Sequence, residues 1–221
     1  MMLYKITDKD DVTHGNTRWG KNVTHKIKKN KRGTRLCSDE VLHAYKDKNL
    51  ALLINPTQGG YDNDTLHLWQ AEGEIVAEDW GKCGCHELKT IKKLTIPKWY
   101  YSKEMRQLVQ IQFAILCAKK VLKYYEKYKS DDKRPREAIK AANKCLKYQN
   151  TTNAAYAARA ADAGAAACDA AACAAYAARA AACAADEIDF TKLANKAVEM
   201  IRGKQLGNDK CNLAEGEDNG E

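Results

Sequence analysis

The sequence predicts an α+β protein: a small β-rich N-terminal domain followed by an all-α bundle with closely packed alanine-rich helices. Three observations predict it. Through the first hundred positions apolar residues alternate in short runs, the period of a half-buried strand. From Lys103 onward they recur every three or four residues, the period of a helix buried on a broad face. Residues 154–185 hold 22 Ala among 32 positions. Ala is the strongest helix former, and its small side chain lets helices approach closely.

The elements follow in order. Leu3-Tyr4-Lys5-Ile6-Thr7 alternates and reads as a strand, with a turn over Asp8 to Asp11. Val23 to Lys28 alternates again. Lys28-Lys29-Asn30-Lys31-Arg32-Gly33 is a basic loop, read as a hairpin tip, after which Leu36-Cys37 resumes an extended segment. Val41 to Tyr45 is a further short strand. Asp47 is the N-cap of a short helix, Lys48 to Ile54, ended by Asn55-Pro56. Thr57 to Asp64 is a loop. Leu66 to Val76 is a strand bent at Glu72-Gly73-Glu74, and Cys85 to Ile96 is another, stopped by Pro97.

The period then changes. Met105, Leu108, Val109, Ile111, Ile115 and Leu122 mark a helix from about Lys103 to about Tyr128. Asp131 or Asp132 caps the next, with Pro135 in its first turn. Thr152 or Asn153 caps the alanine stretch, where the octapeptide AAYAARAA stands at 154–161 and again at 174–181. Twenty residues advance a helix by about 200°, so Tyr156 and Tyr176 face one partner only if the chain bends near Gly164. One helix or two remains open. Ala167, Ala171, Ala174, Ala178, Ala181 and Ala185 form a seam at heptad spacing, suited to a closely packed helix neighbour. A last helix, capped by Asp189 or Asp186, runs from about Phe190 to Gly203 with Leu193, Ala197, Met200 and Ile201 inward. The domains expected are thus 1–100, 101–206 and a disordered acidic tail, 207–221.

Charge divides with the domains. Residues 1–150 carry 30 Lys and Arg against 18 Asp and Glu, a balance of +12; residues 151–221 carry 7 against 11, a balance of −4. The basic front half suits nucleic acid or an acidic protein, with Lys28, Lys29, Lys31 and Arg32 as contacts. A solvated lysine surface is the plainer account and is preferred to it. Nine Cys and no apolar leader after Met1 point to free thiols in a reducing cytoplasm. Arg159, Asp162, Asp169 and Arg179 interrupt the alanine stretch too often for a membrane span.

Few residues offer chemistry. Cys83-x-Cys85-His86 lacks the second ligand pair of a structural zinc site, with only Cys37 and His43 near by spacing. Glu87-x-Lys89, with Asp79 before it, mimics a metal-dependent nuclease pattern. His43 and Tyr45 share a strand face and could floor a pocket, or simply satisfy backbone groups. Four Trp in the first domain supply its core and rim. No P-loop, dinucleotide fingerprint, zincin motif or nucleophile elbow is present, so no metal and no cofactor are expected. Tyr156, Arg159, Tyr176 and Arg179 repeat the two residue types most enriched at binding hot spots.

Two stretches resemble known families. Residues 2 to about 120, through Leu3-Tyr4-Lys5, Leu36-Cys37-Ser38, Leu42-His43-Ala44-Tyr45, Leu68-Trp69, Glu72-Gly73-Glu74 and Leu88-Lys89-Thr90-Ile91-Lys92, resemble a bacteriophage module without an assigned activity. From Arg134-Pro135-Arg136-Glu137-Ala138-Ile139 through the Ala-Tyr-Ala-Ala-Arg-Ala-Ala repeats, the chain is similar to an all-helical family of immunity proteins in polymorphic toxin systems. The resemblances imply a phage or prophage protein that binds and neutralises a host toxin or defence factor, a binding protein rather than an enzyme. The partner expected is a host or phage protein, with a second copy of the chain if the alanine seam pairs between chains. Nucleic-acid binding and a metal-dependent nuclease, both through the N-terminal domain, are the alternatives.

Overall fold

The computed structural model describes residues 1–55, 59–128, 130–147 and 188–214. Strands and helices are both present, so the protein is α+β. It divides after Tyr101 into two units. The first is built on an antiparallel sheet. Strands β1 (Met2–Thr7), β2 (Val12–Thr13), β3 (Thr17–Arg18), β4 (Val23–Lys26) and β5 (Leu42–Ala44) precede helix α1 (Lys48–Ile54); β6 (His67–Glu78), β7 (Cys83–Leu94) and the short α2 (Lys98–Tyr101) follow it. The sheet order is β1-β6-β7-β4, and β5 also pairs with β7. β4 takes Glu87 to Thr90 of β7 and β5 takes Cys83 to Cys85, so both lie on the same edge of β7. β2 and β3 form a separate two-stranded hairpin.

Alternation decides which face is buried. Leu3, Trp19, Ala44, Ala71, Cys83, Cys85 and Leu88 form one apolar cluster, with Leu42 and Ile75 against it. The β6–β7 register shifts at Gln70/Ala71 and around Gly73 to Ala77. At Gly73 any side chain would meet Glu87 O at 2.8 Å, and at Gly84 it would meet Val41 at 2.8 Å. Glycine is what allows β7 to approach so closely. α1 has the predicted cap: Asp47 Oδ1 accepts from the Leu50 N–H at 2.9 Å. Beyond it, buried Asn55 donates to Tyr61 O (2.7 Å) and Asn63 Oδ1 (3.0 Å), and Tyr100 donates its hydroxyl to the same Asn63 oxygen at 2.6 Å. α2 is tied to this unit by that bond and by Trp99 Nε1 to Asn49 Oδ1.

The second unit contains α3 (Lys103–Tyr128), α4 (Arg134–Lys147) and α5 (Phe190–Ala214). α3 packs against both α4 and α5. From Met105 to Cys117 its buried residues run almost without interruption, so it is a central helix rather than a surface one. Ser102 Oγ accepts from the Met105 N–H, Asp132 Oδ1 from the Arg134 N–H and Asp189 Oδ1 from the Lys192 N–H, so a short polar side chain starts each helix. α4 buries Ala142 and Leu146 and is clamped to α3 by the paired contacts of Arg136 with Glu126.

Several expectations are corrected. Residues 28–33 are not a hairpin tip: Lys29–Lys31 is a single helical turn, and no strand follows at Leu36-Cys37. Cys37 instead sits at φ 61° in a turn. Met200 is exposed; Ala194 and Val198 join Leu193, Ala197 and Ile201 on the buried face of α5. α5 continues past Gly203, through Gly207, to Ala214. The alanine stretch, with its seam and both octapeptides, lies outside the described residues.

Candidate functional site

Two polar clusters stand on the N-terminal unit. The first is centred on Asp11, which follows β1 at φ 60°, a left-handed position that Asp tolerates better than most residues. Its Oδ1 accepts from His67 Nδ1 at 2.7 Å and Trp69 Nε1 at 3.1 Å, and Lys93 Nζ lies 3.4 Å from Oδ2. β6 brings His67 and Trp69 to one face at i and i+2, and the β6–β7 pairing sets Lys93 opposite Trp69. Lys93 Nζ also stands 5.2 Å over the Trp69 ring. Partial burial works against the Asp11 charge, but the bonds and charges of His67 and Lys93 outweigh it and hold the carboxyl below its ordinary range. Lys93 Nζ also stands 3.0 Å from His67 Nδ1, so carboxylate and ammonium converge on one ring nitrogen. His67 and Lys93 line a cleft of about 690 Å³ that also takes in Lys9, Asn63, Thr65 and Tyr101. An oriented imidazole beside an ammonium can bind a polar ligand or accept a proton. Nothing in the sequence pattern marked these residues, because Asp11 and His67 stand 56 positions apart.

The second cluster surrounds Lys5. Its Nζ donates to His43 O at 2.7 Å and lies 5.1 Å over the Trp19 ring. Burial pulls its pKa down to about 8, against the opposing pull of Cys85 and Cys83. Those two thiols hydrogen-bond each other on the buried face of β7, which pushes Cys83 up and Cys85 down, and the Lys5 charge adds to the second shift. Half-buried His43 accepts the Cys37 N–H at Nε2 (2.9 Å). Burial and the charges of Lys5 and Lys82 hold its pKa near 4. Lys82 Nζ lies 2.7 Å from the exposed Cys37 sulfur.

His43 titration has a direct consequence. The unfolded imidazole takes a proton near pH 6.5, and the folded one only near 4. The stability this group supports is therefore complete above pH 6.5 and is lost as pH falls toward 4. Discounted for partial exposure, the loss is about 1–2 kcal/mol. His43→Gln, whose amide oxygen can still accept the Cys37 N–H, should flatten stability between pH 6.5 and 4 in urea titrations; an unchanged slope would refute the assignment.

The sequence-derived candidates are placed as follows. Tyr45 is buried, exchanges two backbone hydrogen bonds with Tyr4, and has its phenol pushed up by burial. The His43 ring serves a backbone N–H, whereas Tyr45 is tied in through its own backbone. Glu87 is ion-paired with Lys26 at 2.9 Å and Lys89 with Glu72 at 3.6 Å across the sheet. Asp79 sits apart from them in the β6–β7 turn, its Oδ1 taken by the N–H groups of Gly81 and Lys82. Cys83 and Cys85 are core residues, and His86 Nε2 contacts Gly33 O at 2.8 Å. Among the described residues no three His, Cys, Asp or Glu gather to hold a metal ion. Lys28 and Lys29 are exposed, Lys31 pairs with Asp39 at 3.0 Å, and Arg32 Nε donates to Ile27 O. Tyr156, Arg159, Tyr176 and Arg179 lie outside the described residues. No described helix is long and apolar enough to cross a membrane.

No curated protein and no solved structure matches the chain. A family model does: residues 100–202, which include α3, α4 and the first half of α5, match the family described as Imm-5 like putative immunity protein.

Proposed function

We propose that this chain neutralises a toxin by protein–protein binding and that its helical region makes the contact. The observation that carries this reading is the immunity-like match over residues 100–202. Blocking a toxin requires a surface and no chemistry, and a helical scaffold presents one with little cost in ordering. The contacts proposed are Tyr156, Arg159, Tyr176 and Arg179, two copies of one Tyr/Arg pair at helical spacing. A second copy of the chain is the further partner proposed for the alanine seam on 167–185, which lies outside the described residues. A phage or prophage origin, with a host toxin or defence factor as target in the host cytoplasm, fits the resemblance of the N-terminal residues. Nucleic-acid binding at Lys28 to Arg32 has less support, since Lys31 and Arg32 are already engaged.

Co-expression with a panel of polymorphic-toxin domains tests the proposal. Growth should be rescued for at least one toxin, with a stable complex recovered. Tyr156→Ala/Arg159→Ala/Tyr176→Ala/Arg179→Ala should weaken that complex by about 4 kcal/mol, roughly a thousandfold in Kd. Rescue of no toxin refutes the function. Rescue with undiminished affinity in the variant refutes the surface alone.

A further inference from the structure

We propose that Cys37 and Lys82 form an oxidation site in which one oxygen atom bridges sulfur and nitrogen, covalently joining the 27–41 loop to the β6–β7 turn. The observation behind it is the 2.7 Å separation of Lys82 Nζ from Cys37 Sγ. That is the length of a strong charge-assisted bond to oxygen. Sulfur is a larger atom, and a hydrogen bond to it is longer. A single oxygen with two single bonds, bent at a near-tetrahedral angle, spans the gap without moving either backbone.

Both partners are held in place from behind. Cys37 is fixed at φ 61° with its N–H bound to His43 Nε2, and the neighbouring Ser38 hydroxyl is bonded to Arg35 O at 2.6 Å. Lys82 closes a tight turn: its N–H is bonded to Asp79 Oδ1, and its carbonyl accepts from the Asp79 N–H. The carboxylate nearest Lys82 along the chain is thus engaged by the backbone. Cys37 is exposed, so a small oxidant reaches it, whereas Cys83, Cys85 and Cys117 are buried.

The oxidant is a peroxide, and two equivalents are consumed. The Cys37 thiolate attacks the first; its O–O bond breaks, sulfur loses two electrons, and sulfenic acid and one water form. The unprotonated Lys82 amine takes oxygen from the second, loses two electrons, and gives a hydroxylamine and a second water. The hydroxylamine oxygen then attacks the sulfenic sulfur; the new O–S bond forms as the sulfur's own hydroxyl leaves with a proton as the third water. Thiol, amine and two peroxides thus yield the N–O–S bridge and three waters. A thiol reductant in excess returns both side chains.

The test is peptide mapping of the full-length protein after hydrogen peroxide treatment and alkylation of the remaining thiols. A linked pair of peptides holding Cys37 and an uncleaved Lys82 is expected, at about 14 Da above their sum, one oxygen gained and two hydrogens lost. Dithiothreitol should release it. Cys37→Ser and Lys82→Arg should each abolish it, and so should unfolding in guanidinium before oxidation. Three results overturn the proposal: Cys37 carried only to sulfinic or sulfonic acid with Lys82 still cleaved by trypsin; a linked pair about 2 Da below the sum, which is a direct S–N bond; or Cys37 recovered unoxidised.

Discussion

Trp19→Ala should destabilise the N-terminal unit by about 3–5 kcal/mol, the range for removing a buried Trp. The indole is 3% exposed and packs in the cluster that joins Leu3, Ala71, Cys83, Cys85 and Leu88. It has more than bulk. Its Nε1 donates to Thr13 Oγ1 at 3.0 Å, its ring meets His25 edge-on at 4.6 Å, and its face carries the Lys5 ammonium. Truncation therefore leaves a cavity and a buried cation with one fewer partner. Trp19→Phe keeps one six-membered aromatic ring but loses the fused pyrrole ring with its N–H, so it should cost less, about 1–3 kcal/mol. Urea unfolding of both variants checks the order, and equal losses would mean that the pyrrole half of the indole, with its N–H, carries the stabilisation.

Asp11→Ala should cost about 2–4 kcal/mol, although Asp11 is not a core residue. One carboxylate is the shared acceptor for His67 and Trp69 and the counter-charge of Lys93. Removing it takes the acceptor from the partly buried His67 and from the Trp69 N–H, while Lys93, 42% exposed, turns to water; hydrogen bonds to a charged group contribute about 1.5–3 kcal/mol each before their coupling is counted. Ala must also hold φ 60°, which adds about 1 kcal/mol. Asp11→Asn keeps an acceptor oxygen and tolerates that backbone, so about half the loss is expected. Thermal unfolding gives the values, and a wild-type Tm in the alanine variant would contradict the hub. The same variant should change the His67 imidazole resonances, since Nδ1 loses its carboxylate partner.

Much of the secondary structure was legible from local chemistry. α1 begins at Lys48 because Asp47 can reach the Leu50 N–H, and that choice depends on residues within three positions. α3 spans the predicted Lys103–Tyr128, because a long apolar run at helical period has one way to bury itself. The bend at Glu72-Gly73-Glu74 was visible because a glycine in a strand signals a close approach, here to Glu87 O. Where local signals were weak the reading failed. Leu36-Cys37 looked extended, yet Cys37 took a left-handed turn once its N–H could reach His43 Nε2. Gly203 looked like a helix end and Gly207 like the start of a disordered tail, yet α5 runs through both to Ala214, because a glycine costs a helix only about 1 kcal/mol.

The candidate sites divide along the same line. The chain by itself determined most of the alternating and helical segments, their caps, the alanine repeats and the match of residues 100–202 to an immunity-like family model, since each rests on residues along the sequence. Only the tertiary structure decided that Asp11, His67 and Lys93 meet, that Lys5 lies buried among Trp19, Cys83 and Cys85, and that Lys82 reaches Cys37. Those contacts depend on sheet order and register, which place β1 beside β6 and β5 on the edge of β7. Register comes from the balance of packing over the whole face, and a slip of one residue turns every side chain to the other side. No short stretch of sequence records that balance.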